Sequence, residues 1–233
     1  MMQLTFDLPR RIALSRTDFL ISDSNAAAIG WIDRWPDWPA RALALHGPAG
    51  CGKTHLLHLW CAQTAGVIVP GQMLNEELVA RLVSRRRHRI AVDDADRASE
   101  PALLHLYNFC MEARGDLLVA AHHPPASWTV VLPDLDSRLR AVLAIKIGLP
   151  DDALLGAVLV KHFADRQLRV SPEVIAYLLT HMERSFAAAA EMASRLDRVS
   201  LRDRRAITVP LARQLVSELA VHLSSSGRDS GVT

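Results

Sequence analysis

The sequence predicts an α/β fold in which a mostly parallel sheet lies between helices and a small all-helical subdomain follows. Three observations predict it. Five short apolar runs alternate with helical patterns between residues 42 and 147. One of those runs feeds a Gly-rich loop that opens straight into a helix. After Pro150 only helical periodicity remains. Short runs that are apolar throughout suit strands buried on both faces, which is the condition of a parallel sheet.

The elements follow in order. Met1 to Leu14 reads as an extended lead-in, and Ser24 to Asp33 as a helix stopped near the Trp35-Pro36 and Trp38-Pro39 breakers. Strands are expected at Ala42–Leu45, Val67–Val69, Ile90–Val92, Leu117–Ala121 and Val142–Ile147, with helices near 54–63, 72–86, 100–113 and 136–141. The second part should hold helices at Asp152–Arg166, Pro172–His181, Phe186–Val199 and Leu211–Leu223. Asp151 and Ser171 are placed to cap the first two, and Pro172 suits a first helical position. The Ser/Gly-rich tail 224–233 reads as disordered. No internal repeat is present.

Composition sets the class. Half of the 233 residues are hydrophobic, as in a soluble globular protein with one large domain, or a core plus a smaller one. The net charge of +2 does not by itself imply a nucleic-acid partner. Lysine is nearly absent: Lys53, Lys146 and Lys161 stand against 27 basic residues in all. Such a bias suits genome composition and weakens a functional reading of arginine runs. Three cysteines, Cys51, Cys61 and Cys110, fit a reducing cytosol better than a disulfide framework. No basic-then-apolar leader and no membrane-length apolar run occurs.

The most informative segment is Gly47-Pro48-Ala49-Gly50-Cys51-Gly52-Lys53-Thr54, a complete P-loop with His55 following. Glycines allow consecutive N–H groups to face phosphates, Lys53 supplies a point charge, and the Thr54 hydroxyl suits Mg²⁺. The strand before and the helix after it complete the context, since a helix N-terminus favours phosphate. A nucleoside triphosphate, or its diphosphate product, is the implied ligand. About forty residues on, Arg89–Val92 delivers Asp93 and Asp94 to a strand end, where ligands bind in open α/β sheets. Asp93 would join the Mg²⁺ shell and Asp94 would orient a water, although such a pair also caps helices. His122-His123 ends another strand, as a phosphate sensor or as a solvated loop. His55, His58 and Cys61 share a helix face without a convergent zinc set. Arg138 and Arg184 each read as a surface arginine or as a cation offered to phosphate.

Taken together, Gly47–His58 (GPAGCGKTHLLH), Val92–Asp94, Pro133–Leu139 (PDLDSRL) and Arg184 with Leu196-Asp197-Arg198 resemble the AAA+ ATPases, and within them the DnaA group. The lead-in Phe19-Leu20-Ile21 with Ser24-Asn25 resembles the segment that packs near adenine in that group. The resemblance covers nearly the whole chain. It implies a P-loop AAA+ core over residues 13–150 and a helical lid over 151–223. The chain leaves no room for the helix-turn-helix domain or the N-terminal helicase-interaction domain of DnaA, and is similar to the short Hda-like proteins. These begin with a peptide for the β sliding clamp of DNA polymerase III. Gln3-Leu4-Thr5-Phe6-Asp7-Leu8, within residues 1–12, resembles it, with Gln3, Leu4, Phe6 and Leu8 as contacts. The same alternation suits an edge strand.

By that resemblance the protein is cytoplasmic and replisome-associated. It binds ADP or ATP with Mg²⁺, meets DNA mainly through the clamp, and uses Arg138 as a finger that stimulates hydrolysis of DnaA-bound ATP. Arg184 would read the phosphates from the lid. Intrinsic hydrolysis and a homodimer stay open. The alternative is a self-contained AAA+ ATPase, such as a helicase loader or initiator accessory, acting as a homo-oligomer. A small-molecule kinase is disfavoured by Asp93-Asp94 and by the absence of an acceptor segment, and a pure DNA-binding adaptor by the small net charge. The run Arg81–Arg89 (RLVSRRRHR) carries nothing over from the family. It reads as a solvated helix face, with contact to DNA phosphates as the other reading.

Overall fold

The computed structural model describes residues 20–203 and 205–226, with side chains through residue 218. The lead-in, the clamp-binding peptide with Gln3, Leu4, Phe6 and Leu8, and residues 227–233 of the tail lie outside the described residues.

Five parallel strands form one sheet: β1 (Ala42–His46), β2 (Val67–Pro70), β3 (Arg89–Asp93), β4 (Asp116–Ala121) and β5 (Leu143–Lys146), in the order β2-β3-β4-β1-β5. Alternation along each strand makes two cores. Ala42, Ala44, Ile90, Val92, Leu117 and Val119 face one apolar layer. Leu43, Leu45, Ala91, Leu118 and Ala120 face the other. The helices α1 (Ala26–Asp33) and α2 (Lys53–Thr64) cover the second layer, through residues such as Ile29, Leu57 and Trp60. The opposite layer is covered by α3 (Glu76–Ser84), α4 (Glu100–Glu112) and α5 (Pro133–Ala141). A fully buried leucine such as Leu57 contributes about 1.5–3 kcal/mol relative to exposure.

Four helices follow: α6 (Asp152–Ala164), α7 (Pro172–His181), α8 (Phe186–Asp203) and α9 (Val209–Ser226). They enclose a third core around Leu155, Phe163, Leu178, Met192 and Leu196. The α/β layering and the helical region both agree with the sequence reading. The Asp151 carboxylate accepts from Leu154 N–H at 2.7 Å, a true cap. Ser171 makes no cap bond; its hydroxyl instead bonds the Glu173 carboxyl and lowers its pKa.

Three helices depart from their expected bounds in ways that matter here. The helix expected over 72–86 is only Glu76–Ser84, because Asn75 caps it and Arg86 takes a left-handed turn with φ of 51°. Arg85–His88 is therefore a turn, not a helix face. At the other end, α8 runs to Asp203 and α9 to Ser226, past the periodic residues. Among the described residues no helix is long and apolar enough to cross a membrane.

Candidate nucleotide site

The strand order brings the predicted motifs to one edge. With β4 between β1 and β3, the C-terminal ends of all three lie side by side. Gly47 N–H bonds the Ala121 carbonyl and Ile147 N–H bonds the His46 carbonyl, which pins the loop onto its neighbours at 3.3 and 2.7 Å.

The loop from Gly47 to Gly52 runs into the N-terminus of α2, and Gly52, with φ of 100°, makes the left-handed turn into it. Lys53 is 7% exposed. Its ammonium donates to the Gly47 and Pro48 carbonyls at 2.8 and 2.9 Å, so the charge is held under its own loop. Cys51 is buried within the loop, and burial pushes its thiol pKa up despite Lys53. His55, on the first turn of α2, is pushed down by burial first and by His58 and Lys161 next.

Thr54 and Asp93 meet across the site. The Thr54 hydroxyl donates to the Asp93 carboxylate at 2.7 Å. A hydroxyl and a carboxylate oxygen beside a phosphate loop are the hard oxygen donors that Mg²⁺ takes. Among the described residues no group of three or more His, Cys, Asp or Glu is placed to hold a metal. That donor set suits an ion completed by phosphate and water rather than an all-protein cage. Asp94 follows in a left-handed conformation, φ 49°, and its N–H donates to the Asp93 carboxylate at 3.2 Å.

The remaining expected residues scatter. His122 and His123 follow β4, and the Trp128 indole donates to the His123 carbonyl at 2.9 Å. Arg138 lies on α5, its guanidinium donating to the Asp134 carbonyl at 2.9 Å and to no carboxylate among the described residues. The Arg184 guanidinium pairs with Asp152 at 2.5 Å, so it faces the start of α6 rather than the loop. Of the adenine-side segment, Leu20 and Ile21 are exposed, while Ser24 accepts from Gly148 N–H at 2.9 Å beside the end of β5.

The sequence reading missed two features. Ser185 and Phe186, not Arg184, touch the loop. The Phe186 N–H donates to the Gly50 carbonyl at 3.2 Å, and a Cβ on Gly50 would stand 2.3 Å from the Ser185 Cβ. The glycine at position 50 is thus required by the lid as well as by the turn, a signal visible only once the lid is docked. The second feature is His46, at the end of β1. Burial first, then Lys146, His123 and Lys53, lower its pKa.

Comparison with known proteins now adds to this geometry. Residues 152–216 match the family model described as Hda, lid domain. The fold superposes on domain III of the replication initiation protein DnaA from Thermotoga maritima. The TM-score is 0.75 at 16% identity, covering 91% of this chain and 98% of that one. The chain thus has a lid region similar to that of Hda on the fold of DnaA domain III. Both findings bear out the resemblance to the DnaA group, close to Hda. The AMPPCP-bound DnaA from Aquifex aeolicus shares the fold, with a TM-score of 0.63 at 17% identity. That match covers 78% of this chain and 64% of that one. A protein of Haemophilus influenzae described as uncharacterized is 27% identical over 186 residues, 73% of this chain and 79% of its own.

Proposed function

We propose that this chain is a DnaA-related regulator of replication initiation that acts as an Hda-like inactivator. The observation that carries the reading is the Hda-type lid on a DnaA-type core. In this reading residues 13–150 form the nucleotide-binding core and 151–223 the lid. Lys53 and the loop N–H groups hold the phosphates of ADP or ATP, and Thr54 with Asp93 holds Mg²⁺. Mg²⁺, when bound, neutralises charge on the phosphates. Asp94 orients a water if the protein hydrolyses its own nucleotide.

The regulatory step belongs to Arg138. Its guanidinium is tied to a carbonyl and to no described carboxylate, which supports its role as a finger offered to ATP on DnaA. Gln3, Leu4, Phe6 and Leu8 dock on the β sliding clamp. Arg184 trades Asp152 for phosphate when the lid closes on nucleotide.

Single-turnover hydrolysis of DnaA-bound ATP with DNA-loaded clamp tests the reading. The wild type should accelerate it, and Arg138→Ala should lose about 10³-fold of that acceleration. A variant as active as the wild type would remove Arg138 from the finger role. No stimulation by the wild type, with clamp binding confirmed, would sink the inactivator reading. The bonded pair Thr54–Asp93 favours one second reading, a self-contained ATPase. That reading requires turnover by the protein alone and assembly with ATP.

A further inference from the structure

We propose that the N-terminal edge of the sheet, opposite the nucleotide site, binds the phosphodiester backbone of a nucleic acid directly. The surface consists of Arg41, Arg85, Arg86, Arg87, Arg89 and Arg114. This goes beyond the regulatory reading and does not rest on it.

The chain order hides the cluster. Arg85–Arg87 occupies the turn after α3, and Arg114 the turn after α4. The fold joins them. Asp116 N–H donates to the His88 carbonyl at 2.8 Å, and Arg89 and Asp116 are in register as the first residues of β3 and β4. The Arg41 guanidinium donates to the Arg114 carbonyl at 3.0 Å, which brings in the start of β1. The Arg89 guanidinium lies 5.2 Å over the Trp35 ring. Three loops at one end of the sheet therefore present one basic face.

Most of the cluster is also unneutralised among the described residues, Arg41 alone being paired, with Asp116 at 3.3 Å. Elsewhere many of the described arginines are paired with neighbouring carboxylates, as in Arg140–Asp136, Arg195–Glu191 and Arg184–Asp152. Here Arg85, Arg86, Arg87 and Arg114 are exposed and have no carboxylate partner among the described residues. The acid at the centre, Asp116, is 3% exposed and turned inward, where it accepts from the Trp35 indole and from Arg41. The exposed carboxylate nearest in sequence is Glu112, at the end of α4. A compositional preference for arginine over lysine would account for the frequency of arginine but not for the lack of acids beside Arg85–Arg87 and Arg114. A favourable helix C-terminus explains one cation per helix, not three in succession.

Chemistry selects the partner. Guanidinium forks match phosphate oxygens, and an array along three loops suits an extended polyanion better than a single ion. A membrane surface would ask for an apolar anchor beside the charge. Among the described residues every exposed large apolar side chain, from Leu20 and Ile21 through Met73, Val131, Leu149 and Val160 to Leu201, lies outside these three loops in sequence. The half-buried Trp35 adds a flat face rather than an insertion.

The test is anisotropy titration of a labelled random-sequence duplex with the full chain over a salt series, set against Arg85→Gln/Arg87→Gln. The wild type should show log K falling with log salt at a slope of about −4 to −5. The double variant should flatten that slope by about 2 and bind about 10-fold or more weakly at low salt. An unchanged melting temperature and nucleotide affinity would show that the variant is folded. A wild type that ignores the duplex, or a variant with an unchanged slope, would overturn the proposal. So would a wild type that binds phosphatidylserine vesicles or polyglutamate while leaving the duplex free.

Discussion

The two ends of one sheet use cations in opposite ways. At the C-terminal end Lys53 is buried, its ammonium fixed by two loop carbonyls, and Thr54 is bonded to Asp93. At the N-terminal end the arginines are exposed, and several lack any described carboxylate partner. A cation locked by backbone is set for one small anion at one distance. Loose guanidinium groups spread over three turns can follow a long anion whose phosphates vary in position. The net charge of +2 conceals this division, because many of the other described arginines sit beside acids while Arg85, Arg86, Arg87 and Arg114 do not.

The sharpest way to break the comparison is Lys53→Ala. Loss of a charge-assisted contact to phosphate should weaken ADP and ATP binding by at least about 30-fold, or about 2 kcal/mol, in a calorimetric titration. Duplex affinity should stay within about twofold, since the two ends are well separated and share no partner. An equal loss of both would mean that one site serves both ligands.

Gly50→Ala is expected to have a smaller effect that separates core from lid. Gly50 has a φ of 71°, and a Cβ would stand 2.3 Å from the Ser185 Cβ. Backbone strain and displacement of Ser185 should together cost about 1–3 kcal/mol of thermal stability. Adding Ser185→Gly removes the clash but not the strain, so the double variant should recover only part of the loss. Full recovery would show that the lid contact alone requires glycine here. An equal loss in the single and double variants would show that the lid does not rest on the loop in solution.

The same contact marks the limit of what the sequence tells. Gly47–Thr54 and Asp93 were legible because phosphate chemistry fixes residue types at short spacing. The sheet was legible because strands buried on both faces are apolar throughout, as in Asp116–Ala121 apart from its first residue. Ser185 and Phe186 were not legible, because their role depends on a docking of lid on core that no local pattern encodes. Arg184 carried the family signal, yet its guanidinium faces Asp152. The arginine face was hidden for a related reason. Arg85–Arg87, Arg114 and Arg41 are far apart in sequence, and strand order alone makes them neighbours. Reading 72–86 as one helix also put the arginine run on a helix face, whereas the left-handed Arg86 ends α3 two residues earlier.

The smallest expected effect is a pH dependence, and it tests whether His46 belongs to the nucleotide end. His46, His55 and His162 all have lowered pKa values, with burial as the leading cause. Below the ordinary histidine value of 6.5 the unfolded chain takes up protons that the native protein refuses. Native stability should therefore fall as pH drops from about 6.5 towards the lowered values, and be insensitive to these groups above it. His46 is set apart by its place, at the end of β1 where the phosphate loop begins. Lys146 on β5, His123 after β4 and Lys53 on α2 all oppose its protonation. A bound polyphosphate would offset those charges and ease proton uptake by His46. Melting curves between pH 5.5 and 7.5 should therefore be flatter with ADP than without it. Duplex bound at the far end should leave the slope as it was. In His46→Asn the ADP-dependent part should shrink to what His55, on the first turn of α2, contributes, while the part due to His162 persists. If ADP leaves the slope unchanged in the wild type, His46 lies outside the field of the phosphates. The C-terminal edge would then be built from Lys53, Thr54 and Asp93 without it.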